Sequence, residues 1–423
     1  MDIIDVIGVN MPTLINKITK ADNALANLQK GWFILLILQA LLLIVGTVIL
    51  RAWWVDQYAV RWVGLAGLAS LFFLATLWGS LKLNHRPGEN RPLPGFGYGN
   101  LLTILRGLTL ALLIGFLFSP WPTGWVAWLP GGLYSIVAIA DLFDGYLARK
   151  FDYQTTLGER LDLSLDGLGL LVACILLFQY GQVPAWYLLV GLARYLFVAG
   201  IWLRNKLGKP VYDLTPNITR RPFAGAQMGF VAFALYPVFG PPGTVLAAAL
   251  FAVPFLVGFS IDWFGVSGTI PLNLLGSAGR KVQDQPSDRR FGHYLATWLP
   301  LSFRISLVVL IIIWIVNNLL GPIIMEYLTA PFHISDASSY NPWLNRLFLI
   351  FGVGTLMIAL GAAGRIAAII VLIGIGMYVN NFGLNIAEVL LAVGAAALLY
   401  LGTGPYSLWN PEHQLINRRL GEL

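Results

Sequence analysis

The residues best suited to chemistry are four aspartates in the segment DLFDGYLARKFDYQTTLGERLDLSLD, residues 141–166. Asp141 and Asp144 stand three apart, and Asp162 and Asp166 four apart. On helices, both spacings put the paired carboxylates on one face. Two helices joined by a short loop then bring four carboxylates together at the membrane surface. Such groups repel one another, and carboxylates at the ends of apolar helices are costly unless solvated or paired. Hard divalent ions such as Mg²⁺ or Mn²⁺ prefer oxygen ligands and supply the missing charge. Two such ions, about 3.5–4 Å apart, form the usual clamp for attack at phosphorus. Between the pairs lie Gly145, Ala148, Arg149 and Gly158. Small residues let a ligand approach the backbone, and the planar guanidinium of Arg149 suits phosphate oxygens. The plainer alternative is a loop of acids that only sets topology, but topology requires neither the Gly and Ala positions nor the spacing.

The elements that must position these groups follow from composition. Of 423 residues, 57% are hydrophobic and only 11% charged, with a mean hydropathy of +0.74. A soluble domain carries about a quarter charged residues, so these charges are too few to cover a water-facing surface. Apolar runs of roughly 18–22 residues recur, each long enough to cross a hydrocarbon core of about 30 Å as a helix. Unalternating runs of this length mean helices rather than a barrel. The expected fold is an all-α polytopic membrane protein with about twelve transmembrane helices. They are expected near 32–50, 58–82, 101–118, 123–143, 160–180, 184–203, 222–240, 243–263, 301–320, 344–361, 365–380 and 384–402. Polar linkers are expected at 84–100 and 265–298, and no short internal repeat is evident.

Lys82, Arg86 and Arg91 fall between spans two and three, Arg149, Lys150 and Arg160 between four and five, and Arg204, Lys206, Lys209, Arg220 and Arg221 between six and seven. Arg280, Lys281, Arg289 and Arg290 follow span eight, and Arg418 and Arg419 close the chain. All lie on one side of the membrane, while the other side carries few, such as Arg51, Arg61 and Arg346. The positive-inside rule then places both termini and the aspartates in the cytoplasm, with the chain in the cell (inner or plasma) membrane. The net charge of +7 is explained by this arrangement rather than by nucleic acid. A single cysteine, Cys174, excludes an internal disulfide and a thiolate metal cluster. Residues 1–30 are no cleavable signal peptide. Ile3, Ile4, Ile7, Met11, Leu14, Ile15 and Ile18 recur at helical spacing and suit an amphipathic surface helix or a plain helical lead-in.

The aspartate segment resembles the signature of the CDP-alcohol phosphatidyltransferase family, D-x₂-D-G-x₂-A-R-x₈-G-x₃-D-x₃-D. Asp141, Asp144, Gly145, Ala148, Arg149, Gly158, Asp162 and Asp166 match it without departure in type or spacing. The resemblance covers about residues 95–263, the six helices of that family's core. It implies transfer of a phosphatidyl group from a CDP-lipid such as CDP-diacylglycerol to an alcohol, releasing CMP. Asp141, Asp144 and Asp162 would bind metal, and Asp166 would complete the site and act as general base. Gly145 and Ala148 would make room for the nucleotide, and Arg149 would contact its phosphates. Family members also carry an N-x-x-T segment opening the first core helix, matched by Asn100 and Thr103 with Arg106 following. Asn100 reads equally as a helix cap. Thr155 is a further candidate for the diphosphate, or a simple loop threonine.

The acceptor is left open. Arg194 lies well inside the sixth span, where an arginine is expensive and by default functional. With Arg220 and Arg221 it suits a basic pocket for a phosphorylated acceptor, and this region loosely resembles phosphatidylglycerophosphate and phosphatidylinositol-phosphate synthases. Snorkelling and topological anchoring are the plain alternatives. The last four spans and the ending YLGTGPYSLW resemble the DoxX-like family of four-helix membrane proteins, which implies no activity. Arg365 reads as capping a short turn there, and Glu388 as pairing with a partner or lying at the interface. The expected organisation is 1–94, an amphipathic helix with two spans; 95–263, the core; 264–298, a cytoplasmic linker; and 299–423, the DoxX-like helices. A homodimer and a membrane-protein partner for the flanking helices are expected. One rival is a structural subunit of a larger complex that retains an old enzyme core. The other, an ion transporter, would show paired mid-membrane charges in two related halves, and the sequence has only isolated ones.

Overall fold

The computed structural model describes residues 11–89, 91–213, 220–269, 286–320, 342–402, 404 and 406–409. Their main helices are α1 (Met11–Trp53), α2 (Asp56–Ser80), α3 (Gly97–Ile114), α4 (Leu129–Lys150), α5 (Thr156–Gln179), α6 (Leu188–Lys206), α7 (Arg220–Ala234) and α8 (Gly243–Ser267), followed by α9 (Pro286–Ile315), α10 (Pro342–Leu360), α11 (Gly364–Phe382) and α12 (Ile386–Leu401). Each expected span has become one of these helices, and no β-strand occurs among the described residues. The chain is an all-α, multi-pass membrane protein. Among the described residues, nine stretches are long and apolar enough to cross a bilayer by themselves, and the apolar stretches of α7, α10 and α12 (Phe223–Ala234, Arg346–Leu360 and Ile386–Leu401) are shorter. The backbone has no water to satisfy it in hydrocarbon, so the apolar runs close their hydrogen bonds within helices.

The chain forms two compact units, and their division falls inside α6 and α7. The first comprises the described residues of Met1–Gly181, Ala185–Tyr195 and Val231–Pro237. Within it, α1 and α2 form a hairpin held by polar contacts in an apolar setting. Trp32 Nε1 donates to the Leu74 carbonyl at 2.8 Å, and Gln39 Nε2 to Ser70 Oγ at 2.8 Å. A core of Leu28, Leu74, Leu77, Ile104, Leu108, Leu157 and Leu161 joins this hairpin to α3 and α5. The second unit comprises the described residues of Gln182–Pro184, Leu196–Phe230 and Val238–Leu423. Its core gathers Leu307, Ile311, Trp314, Phe351, Ala367, Val371, Ile375, Leu391 and Ala395 from α9 to α12.

Several boundaries differ from expectation. The amphipathic stretch from Met11 onward continues without a break into the first span, as one helix of 43 residues, the geometry of a helical lead-in. α4 runs to Lys150 rather than stopping near 143, because its last turns are amphipathic rather than apolar and still helical. The linker expected at 264–298 is helical from Pro286 onward. Glu388 is buried at 1% exposure and belongs to a capping box. Its Oε2 accepts from the Asn385 backbone N–H at 2.9 Å, and its Oε1 from Trp314 Nε1 at 2.8 Å. Its partners lie inside the four-helix unit. Arg280, Lys281, Arg418 and Arg419 lie outside the described residues.

Candidate functional site

The four aspartates converge. α4 carries Asp141 and Asp144, the turn 151–155 reverses the chain, and α5 carries Asp162 and Asp166. Asp141, Asp144 and Asp162 each offer a carboxylate oxygen within 4.8 Å of the others. Ion–oxygen distances of about 2.0–2.6 Å put the ligands of one hard cation up to about 5 Å apart, so this trio fits a divalent ion without rearrangement. Asp144 is buried, and Asp162 and Asp166 are 46% and 44% exposed. The cluster is therefore closed at its α3 side and open along α5.

The organising residue is one to which sequence reasoning gave no role. Arg106, on α3, is 1% exposed and touches all four carboxylates. Its Nη1 donates to Asp141 Oδ1 and, at 3.3 Å, to Asp144 Oδ2. Its Nη2 donates to Asp162 Oδ1 at 2.8 Å and Asp166 Oδ1 at 2.9 Å, and reaches the Asp162 carbonyl at 3.2 Å. The planar fork of arginine suits several carboxylates at once. Four carboxylates against one guanidinium leave three negative charges uncompensated. A divalent cation suits that deficit, and each carboxylate spends only one oxygen on Arg106. The signal that could have found this residue was an arginine in the middle of an apolar run, the criterion that singled out Arg194.

The other candidates are distributed around this cluster and beyond it. Thr103 belongs to the cluster, since its hydroxyl donates to Asp144 Oδ2 at 3.0 Å. Asn100, Thr155 and Gly158 form a separate knot at the start of α5. Thr155 is the N-cap, accepting from the Gly158 N–H at 3.0 Å. Asn100 Nδ2 donates to Thr155 Oγ1 at 2.7 Å and to Asn84 Oδ1 at 2.8 Å. Gly158 has no room for a side chain, because a Cβ there would strike the Asn100 amide. Asn84, which sequence reasoning missed, ties in the preceding loop through Nδ2 to the Gly95 carbonyl at 2.7 Å. Tyr153 does the same, its phenol donating to Gly95 at 2.6 Å, and burial holds that phenol above its usual pKa so that it remains a donor.

On α4, Ala148 faces α3. A Cβ on Gly99 would lie 2.8 Å from Ala148 Cβ, so small residues at both positions permit the close helix approach. Gly145 has the Arg149 guanidinium beside it, 3.3 Å from where a Cβ would be. Arg149 is exposed and makes no ion pair among the described residues. Arg194 is brought to α5. Its Cδ lies against Gly167, the residue after Asp166, 2.9 Å from the position of a Cβ. Arg220 and Arg221 open α7, and their side chains lie outside the described residues.

The described residues thus build a guanidinium-centred cluster of four carboxylates, open on one side and set at a helix–turn–helix. Residues 97–263 match the family model described as CDP-alcohol phosphatidyltransferase. Curated relatives agree. The chain is 33% identical over 112 residues to a Cereibacter sphaeroides protein named CDP-diacylglycerol--glycerol-3-phosphate 3-phosphatidyltransferase, covering 26% of this chain and 49% of that one. It is 31% identical over 118 residues to the protein of that name from Bacillus subtilis, covering 26% and 61%. For the Rickettsia bellii protein of that name the identity is 36% over 107 residues, covering 24% and 55%. The chain spans about half the length of the curated relatives it matches. No solved structure matches it.

Proposed function

We propose that this protein transfers a phosphatidyl group from a CDP-diacylglycerol-type lipid to an alcohol, releasing CMP, in phospholipid synthesis. The single observation that carries this reading is the convergence of Asp141, Asp144, Asp162 and Asp166, in the family's spacing, around the Arg106 guanidinium. Asp141, Asp144 and Asp162 would hold Mg²⁺ or Mn²⁺, with Asp166 completing the set for a second ion. Bound there, the ions supply charge stabilisation for a diphosphate.

The rest is work for the chain's own residues. Asp166, on the open side, accepts the proton of the acceptor hydroxyl. The acceptor oxygen attacks the phosphorus nearest the lipid, the bond from that phosphorus to CMP breaks, and CMP departs with the electron pair. Arg149, unpaired and beside the small Gly145, grips the nucleotide phosphates. Arg106 holds the carboxylates in place from the buried side. Asn100, Thr155 and Gly158 stiffen the start of α5 and so the placement of Asp162 and Asp166. Arg194, beside Gly167, favours an acceptor that itself carries a phosphate. The relatives' names point to glycerol 3-phosphate. The basic loops support the cytoplasmic face of the cell membrane as the site of this chemistry.

The test is CMP release from CDP-diacylglycerol by the purified full chain, screened across acceptors with Mg²⁺ or Mn²⁺ and with EDTA. Activity is expected with glycerol 3-phosphate and is expected to vanish with the chelator. Asp166→Asn should lower CMP release by about 10²–10⁴-fold. Full activity in that variant would refute the base assignment.

A further inference from the structure

A groove unrelated to the aspartates runs between α2, α3 and α5. It encloses about 150 Å³ and is lined chiefly by apolar side chains. Its walls include the small residues Ala69 on α2 and Ala111 on α3, while Gly107 on α3 admits the Phe73 ring. We propose that it holds one anionic phospholipid of the surrounding bilayer, with an acyl chain along the helices and the phosphate at Arg160. This reading stands independently of the catalytic one.

Three observations choose that occupant. The first is length. The lining runs from Ala69 to Ser80 on α2 and from Leu157 to Leu168 on α5. At 1.5 Å per residue, each wall is about 16 Å long. That is about half of a 30 Å hydrocarbon core, the depth of one leaflet.

The second is polarity. Ser80 and Arg160 lie at the end where α2 finishes and α5 begins, and Ala69, Ile114 and Leu168 at the other. Arg160 is exposed and makes no ion pair among the described residues. Neighbouring Ser164 donates its hydroxyl to the Arg160 backbone carbonyl at 2.9 Å. An unpaired cation at the polar end of an apolar channel matches a lipid phosphate.

The third is placement. At 3.6 residues per turn, Leu157, Leu161, Ser164 and Leu168 centre about 150° around α5 from Asp162 and Asp166. A lipid reacting at the aspartates addresses the other face of the helix. The α2 wall also lies outside residues 97–263, so the groove is not built from the family-matched residues alone.

Native mass spectrometry of the full chain in detergent tests this, with phosphatidylglycerol and phosphatidylcholine of matched chains. One phosphatidylglycerol per chain should be retained about fivefold over phosphatidylcholine. Arg160→Gln, at the surface, should bring the two lipids to parity. Ala111→Phe, which fills the groove, should lower retention of both. Excess CDP-dioctanoylglycerol with EDTA should leave the bound phosphatidylglycerol in place. Equal retention by the unmodified chain, or an undiminished preference in Arg160→Gln, would overturn the proposal even if Ala111→Phe failed to fold. Displacement by the CDP-lipid would overturn it too, since the groove would then be the donor's own.

Discussion

Arg106 shows how much of a site can rest on one side chain. Buried between three helices, it gives one N–H edge to Asp141 and Asp144 and the other to Asp162 and Asp166. Removing one partner from a buried charge cluster costs about 3–5 kcal/mol, because the remaining charges stay desolvated and unpaired. The acids on α5 are partly exposed, so Arg106→Gln belongs at the lower end, about 3 kcal/mol. The expected result is a lower thermal unfolding midpoint that millimolar Mg²⁺ partly restores, because the added cation replaces some of the missing positive charge. A midpoint unchanged from the parent, with or without Mg²⁺, would show that the guanidinium does not hold the acids. The acids were legible in the sequence, since two spacings on one loop are a local pattern. Arg106 was not, because it lies 35 residues before Asp141 and 60 before Asp166. Nothing local ties it to either.

α3 is the element on which both the cluster and the knot at the start of α5 depend. Along its first turns it presents Gly99 to Ala148, Asn100 to Thr155, Thr103 to Asp144 and Arg106 to the carboxylates. The approach to α4 has no slack at Gly99. Its Cβ position is 2.8 Å from Ala148 Cβ and 3.1 Å from the Asp144 carbonyl oxygen. Gly99→Ala should therefore destabilise by about 1–3 kcal/mol, the usual penalty for overpacking. CMP release should fall as well, although no group of the cluster has changed. Ala148→Gly in the same chain should recover part of the stability, since it removes the nearest clashing atom. Double-mutant analysis of thermal unfolding reads this directly, and strictly additive losses would show that the two positions do not meet. At this scale the sequence was legible where hydropathy decides. Every apolar run became a helix, and the ends were misplaced where helices continue into polar turns, as α4 does to Lys150. Asn100 illustrates the limit. Its type and place suggested a cap or a ligand contact, and the structure adds bonds from its Nδ2 to Asn84 and Thr155 across three segments. Thr155, read as a loop threonine or a diphosphate contact, is the cap.

At the scale of the molecule, the reading depends on which side of the membrane holds the cluster. The turn after α2, the turn after α4 and the segment after α6 are rich in Lys and Arg, from Lys82 to Lys209. The turns between α1 and α2 and between α3 and α4 are poor in them. If each helix crosses the bilayer, alternation puts the rich segments together, and the positive-inside rule makes that side cytoplasmic. Substrate chemistry requires the same side, because a cytidine nucleotide does not cross a bilayer unaided. Single cysteines can test this on a nearly silent background, because the chain's one native thiol, Cys174, is fully buried. Glu89, Lys209, Gln57 and Thr123 are all exposed in the structure. Glu89→Cys and Lys209→Cys should react with a membrane-impermeant maleimide only after the expressing cells are permeabilised. Gln57→Cys and Thr123→Cys should react in intact cells. Labelling of Glu89→Cys or Lys209→Cys in intact cells would put the aspartates on the outer face, out of reach of a cytosolic nucleotide pool, and the phosphatidyl-transfer reading would lose its donor.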